Sequence, residues 1–216
     1  MGFFEILNMM WKGIGISVEI FFVTLIGGLA LGLLLCLLRM SRLKLIQLLT
    51  KFYISVMRGT PLMLQLFVVY FGQYYLLGIK ISSGYKLTAV LIGFVLNYAA
   101  YFAEIYRAGI EAIPIGQYEA AQILGYTKAQ TFLYIVMPQV VKHIVPPITN
   151  ETITLVKDTS LAFALSVAEM FTIAKQLAAS TTSMVPFVVA AVVYYIFNLV
   201  VAVLAERLEK KLSYYR

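Results

Sequence analysis

Residues 14–38 form a run dominated by Ile, Leu, Val and Phe in which Glu19 is the only charged side chain. As an α-helix rising about 1.5 Å per residue, such a run is long enough to cross the roughly 30 Å hydrocarbon core of a bilayer. No water is available there to satisfy backbone N–H and C=O groups, so the segment must close its hydrogen bonds within a helix. Composition extends the inference to the whole chain. Apolar residues make up 62% and charged residues 12% of the 216 positions, with a mean hydropathy of +0.89. Soluble domains do not have this mix. About five spans of roughly 20 residues fit the length. The expected fold is an all-α, polytopic membrane protein, with residues 1–216 as one transmembrane domain. The first run is too long for the apolar core of a signal peptide and lacks a convincing cleavage site, so it reads as retained.

Further spans are expected over residues 52–77, 87–110, from about 132, and 184–205, with residues 160–180 forming a further short helix or two near the outer side. In the second, Pro61 disfavours helical geometry at Thr60 and should break the span near its inner end. Around the fourth, Pro138, the pair Pro146-Pro147 and the polar groups Asn150-Glu151-Thr152 and Lys157-Asp158-Thr159-Ser160 predict an interrupted helix. Gly27, Gly28 and Gly32 allow another helix to approach the first span closely. The net charge of +7 does not form the aromatic-interleaved patch of a nucleic-acid binder. Arg39, Arg42, Lys44 and Lys51 follow the first span, while Arg207, Lys210, Lys211 and Arg216 follow the last. By the positive-inside rule both flanks are cytoplasmic and the N-terminus is outside. Tyr74, Tyr75, Tyr194, Tyr195, Tyr214 and Tyr215 read as interfacial aromatics. Cys36, the only cysteine, reads as a packing residue.

One segment is out of keeping with this membrane-soluble text. Glu119-Ala120-Ala121-Gln122-Ile123-Leu124-Gly125, continuing to Pro138, combines a smooth helical face, an acid near a helix start and a glycine suited to the left-handed residue that ends a helix. A short helix–turn–helix outside the bilayer is expected at about residues 113–131. The spacing resembles the EAA loop of ABC-importer permeases, which in that family fits a groove on the ATPase subunit. Three further blocks resemble the polar amino-acid branch, which imports histidine, glutamine, glutamate and arginine. They are Arg58-Gly59-Thr60-Pro61-Leu62, Ala99-Ala100-Tyr101-Phe102-Ala103-Glu104-Ile105-Tyr106-Arg107-Ala108-Gly109-Ile110, and Pro146-Pro147-Ile148-Thr149-Asn150-Glu151 with Lys157-Asp158-Thr159-Ser160-Leu161. The resemblance covers nearly the whole chain.

It implies the small, methionine-permease-like fold in a bacterial plasma membrane. It also implies a second permease subunit, a copy of this chain in a homodimer or a different chain in a heterodimer, with two ATP-binding cassette subunits and an extracytoplasmic solute-binding protein. Glu119, Ala120, Ala121 and Gly125 would couple the permease to the ATPase. ATP and Mg would sit on the partner ATPase, with no cofactor in this chain.

Catalysis within the chain is not expected. There is one His and one Cys, no Walker loop and no HExxH or CxxC spacing for a metal, and His143 reads as a surface or packing residue. Ionisable and polar groups at membrane depth are instead candidates for substrate contact. Asn97, Tyr101 and Glu104 fall on one stripe of the third span. Glu104 either faces the path or pairs with Arg107 one turn on. Glu19 either meets substrate or is a packing residue that snorkels to water. Glu151, Lys157, Asp158, Thr159 and Ser160 border the broken fourth element, where Thr159 and Ser160 can cap a new helix whose N-terminus attracts a carboxylate; alternatively, Lys157 and Asp158 neutralise one another. The acids favour a basic amino acid, such as arginine, lysine or histidine, as substrate. Glutamine, glutamate, an opine or a sulfur-containing amino acid are alternatives within the class. A passive channel or scaffold has no use for the docking segment, and a membrane enzyme lacks its catalytic groups.

Overall fold

The computed structural model describes residues 2–82 and 84–212; Arg216, Tyr214 and Tyr215 lie outside the described residues. Helix α1 (Phe3–Arg39) begins well before the apolar run. Its 37 residues reach about 55 Å, so its first turns extend past what one bilayer crossing needs. Helix α4 (Tyr85–Glu111) packs along it, and small residues set the separation. A Cβ on Gly28 would meet the Phe102 ring at 3.2 Å, and one on Gly32 would lie 2.8 Å from Phe102 Cβ and 3.0 Å from the Ala99 carbonyl oxygen. Backbone cannot yield there. Gly32→Val is therefore expected to prise α1 from α4 and destabilise the fold by about 1–3 kcal/mol or more, read as a lowered melting temperature of the purified permease. Gly15→Ala has nothing within 4 Å to disturb and should melt unchanged.

The second span differs from expectation. Helices α2 (Lys44–Gly59) and α3 (Leu62–Leu77) are equal in length and meet at a bend of 114°, so the break divides the pair at its middle. Thr60 is extended at φ −122°, ψ 149°, as a residue before proline prefers. The bend frees backbone carbonyls that two amides capture. Gln65 Nε2 donates to Met57 O at 2.9 Å and to Thr60 O at 3.1 Å, and Asn97 Nδ2 donates to Met57 O at 3.0 Å and to Gln65 Oε1 at 2.9 Å. Helix α3 ends on Gly78 in the left-handed region, φ 68°.

After α4, the short α5 (Ile115–Ile123) is followed by α6 (Lys128–Gln130), a π-helical turn (Thr131–Val136) and α7 (Met137–Asp158). The expected interruption of the fourth span at Pro146-Pro147 does not occur: both prolines lie inside α7. Proline has a helical φ but removes a donor and crowds the carbonyl four residues back, and in a membrane bundle neighbouring helices and local adjustments of the backbone compensate for this. Here the Ile144 side chain seats against Gly109 of α4 just below the prolines. The second half of the expected helix pair is likewise the first turn of a continuous α6–α7 element.

The break falls after Asp158, in a 3₁₀ turn (Thr159–Leu165) that ends on Ser166 at φ 55°. Thr159 and Ser160 do not cap a new helix. Their hydroxyls donate back to Val156 O and Lys157 O, both at 2.8 Å, as serine and threonine do at the end of a helix whose last carbonyls lack partners. The next helix, α8 (Met170–Thr181), is capped by Glu169. Helix α9 (Val185–Leu212) completes the described residues. Helices α1, α4 and α9 are each long and apolar enough to cross a membrane, and two bent pairs, α2 with α3 and α6–α7 with α8, pass the same test jointly. With each bent pair counted as one span, the described residues hold five.

Candidate functional site

Helices α4 and α7 face one another with largely polar stripes. On α7 the polar members are His143, Glu151, Thr154 and Asp158, with Pro147 between the first two, all spaced by three or four. On α4 they are Asn97, Tyr101 and Glu104, with Ala108 one turn on. Between them lie two adjoining cavities of about 430 and 360 Å³ that share Tyr101 and Glu151. The first also contains Thr60, Asn97, Tyr98 and Asp158, and the second Arg58, Glu104 and His143. Both are within the size range of small-molecule sites, about 300–1,000 Å³.

Around these cavities the expected residues divide. Tyr98 Oη donates to Asp158 Oδ2 at 2.8 Å, and the Arg58 guanidinium carbon lies 5.5 Å from the centroid of the Tyr101 ring, within range of a cation–π contact. Glu151 is half-buried at the junction. Asn97 touches the first cavity, but its amide nitrogen is committed to the α2–α3 bend. Glu104 borders the second while accepting from Arg107 Nε at 3.1 Å and pairing with its terminal nitrogen; Arg107 also pairs with Glu111. Glu19 is exposed on α1 and lines neither cavity. Lys157 and Asp158 form no direct ion pair within 4 Å and line different cavities, Lys157 one of about 340 Å³ with Ser160, Phe171 and Tyr194. Thr159 is fully buried.

Sequence reasoning left out Arg58, Tyr98 and Thr154 as site residues. The α7 stripe was readable from its spacing, but treating Pro146-Pro147 as a break cut it in two. Glu169 also went unnoticed. Fully buried at 0% exposure, its carboxylate accepts from the Phe171 and Thr172 amides at 2.7 and 2.6 Å, Thr172 Oγ1 at 2.9 Å, Tyr194 Oη at 3.1 Å and Ser17 Oγ at 3.5 Å. It therefore joins α1, α8 and α9. Tyr194, expected at an interface, is instead part of this buried cluster, because its hydroxyl has a carboxylate to bond; Tyr74, Tyr75 and Tyr195 are exposed.

The docking segment closes as its sequence predicts. Gly125 adopts φ 78°; its N–H donates to Gln122 O and that of Tyr126 to Ala121 O, both at 3.0 Å, the pairing of a Schellman motif. Thr127 and Gln130 then form a capping box that starts α6. Ala121 is buried, whereas Glu119, Ala120, Ile123, Leu124 and Gly125 are exposed, Ile123 at 86%. Glu119 lies in the second turn of α5 rather than its first, because the helix starts earlier, after Pro114.

Residues 27–214 match the family described as binding-protein-dependent transport system inner membrane component. Among similar proteins, YckA of Bacillus subtilis, named as an amino-acid ABC transporter permease, is 40% identical over 94% of this chain and 89% of its own. ArtQ of the same organism, an arginine transport system permease, is 38% identical over 94% and 91%, and its L-cystine counterpart TcyB is 33% identical over 94% and 86%. A crystal structure described as an amino acid ABC transporter with histidines superposes with a TM-score of 0.87 at 31% identity, covering 98% of this chain and 99% of that one. The inward-facing methionine transporter MetNI shares the fold, with a TM-score of 0.75 at 19% identity over 96% and 97%. The chain belongs to the binding-protein-dependent inner-membrane component family and is a permease subunit of an amino-acid ABC importer.

Proposed function

We propose that this permease imports a basic amino acid by alternating access, as a homodimer driven by two ATPase subunits and supplied by an extracytoplasmic binding protein. The charge arrangement along the path carries this reading. A basic amino acid brings two cationic groups and one carboxylate; Glu151 and Asp158 offer two carboxylates and Arg58 one cation, around cavities that share Tyr101. Glu104 is already neutralised by Arg107. Stripped of water, each substrate charge needs such a partner. Glu119, Ala120 and Gly125, exposed on the docking segment, engage the ATPase groove, where ATP and Mg act, with Ala121 buried beneath them as the packing residue that holds the segment in place; the chain itself contributes no hydrolytic group. Residues 1–216 work as one transmembrane domain.

The test is substrate-dependent ATPase activity of the purified complex with the binding protein omitted. Glu151→Gln removes a charge-assisted contact of about 1.5–3 kcal/mol and should weaken the response to arginine, lysine or histidine by roughly 10- to 100-fold, at unchanged basal hydrolysis, while the response to glutamine moves little. Glu104→Gln should lower all responses alike. An equal loss for every substrate in Glu151→Gln would instead favour a neutral polar amino acid.

Orientation follows from charge: Arg39, Arg42, Lys44, Lys51, Arg207, Lys210, Lys211 and Arg216 outweigh Lys12, Lys80 and Lys86 on the opposite side. Reporters placed after Arg216 and within residues 41–47 should both read cytoplasmic; an external reading at either removes this topology.

A further inference from the structure

Helix α2 shows three distinct faces. Thr50 and Ile54 are buried, and Tyr53 Oη on the same side donates to Leu96 O of α4 at 2.8 Å. Leu45, Leu48, Leu49, Phe52 and Val56 are all exposed and recur at the three- and four-residue spacing of one helical face. Lys44 and Lys51, two turns apart, border that face, and Arg42 precedes the helix; all three are exposed. None has an ion-pair partner among the described residues. Because α2 is bent by 114° from α3, it lies nearer the membrane plane than the normal when α3 crosses the bilayer. An apolar stripe edged by basic side chains on a helix so placed is the arrangement that beds into the headgroup boundary and attracts anionic lipid.

We propose that α2, with Arg42, is a binding surface for anionic phospholipid, its apolar stripe among the acyl chains and Arg42, Lys44 and Lys51 on the phosphates. Charge complementarity selects the anionic lipid over a zwitterionic one. The C-terminal turn of the same helix carries Arg58, which lines the second cavity. The proposal stands on the bend and the charges and is independent of which substrate is carried.

A fluorophore on Phe52→Cys, with the buried Cys36 replaced by Ala, reports the lipid touching the stripe. The full-length permease is reconstituted in vesicles of phosphatidylcholine with increasing phosphatidylglycerol, one or the other brominated as quencher. Brominated phosphatidylglycerol is expected to quench at a lower mole fraction than brominated phosphatidylcholine. Its apparent association should fall about fivefold for each basic side chain neutralised in Arg42→Gln, Lys44→Gln and Lys51→Gln, and the preference should shrink at high salt. Equal quenching by the two lipids, or a preference that survives the triple substitution, overturns the proposal. No quenching by either would show the face covered by protein, such as a second copy of the chain, and overturns it equally.

Discussion

Gly125→Val is expected to leave the permease inserted in the membrane yet uncoupled from ATP hydrolysis. At φ 78° the residue sits in the left-handed region, which costs an ordinary L-residue about 1–2 kcal/mol and a β-branched one more. There is open space around Gly125, so a new side chain meets no clash and the penalty is in the backbone alone. Relaxing it means abandoning the hydrogen bonds from Gly125 and Tyr126 back to Gln122 and Ala121. The Thr127 cap that aims α6 then moves as well. A cost of this size corresponds to roughly a 5- to 30-fold shift between turn conformations, and substrate-stimulated ATPase activity of the assembled complex should fall accordingly. Gly125→Asn, which tolerates the left-handed region, should recover much of the activity. Normal transport by Gly125→Val would show that the turn geometry is not what couples.

The larger effect on stability belongs to Glu169. Glu169→Ala strands the buried Thr172 amide and hydroxyl and takes an acceptor from the part-buried Phe171 amide and Tyr194 hydroxyl. Each buried unsatisfied group costs about 1–3 kcal/mol, so the two on Thr172 alone should cost about 2 kcal/mol or more. Thermal unfolding of the purified permease measures it. Glu169→Gln retains a side-chain oxygen for the cap and should fall between the two. An unchanged melting temperature in Glu169→Ala would mean that α1, α8 and α9 hold together without the carboxylate.

How much of this was legible in the text of the chain differs from helix to helix. The apolar runs of α1, α4 and α9 announce themselves because hydropathy sums over any window long enough to cross a bilayer. Gly28 and Gly32 were readable as contact points, since a missing side chain permits close approach, and Gly125 as a left-handed residue, since its type and place agree. The stripe from Asn97 to Glu104 was visible because α4 has no proline to confuse its period. Helix α7 was obscured by Pro146 and Pro147: local propensity argues for a break there, and tertiary packing, with Ile144 against Gly109 of α4 and α9 alongside, overrides it. Asn97 shows a different limit. Its depth suggested substrate contact, but its amide nitrogen bonds the carbonyl of Met57, 40 positions away in sequence, a demand created by the bend itself. Glu169 was hidden for a similar reason, as its donors come from α1, α8 and α9, and no local pattern gathers them.

The continuity of α6 with α7 changes how movement travels through the chain. From Lys128 beside the docking turn to Asp158 in the cavity wall there is no loop, only about 45 Å of helical backbone. A push applied at the Lys128 end meets no loop before the cavity wall, so it can be lost only where the helix itself bends. Two places interrupt the regular α-helical ladder of this rod: the π-helical turn and Pro146-Pro147, which bring no N–H to it. These are the points about which a stiff lever would flex, and the second lies beside the cavity lined by His143, Pro147 and Glu151.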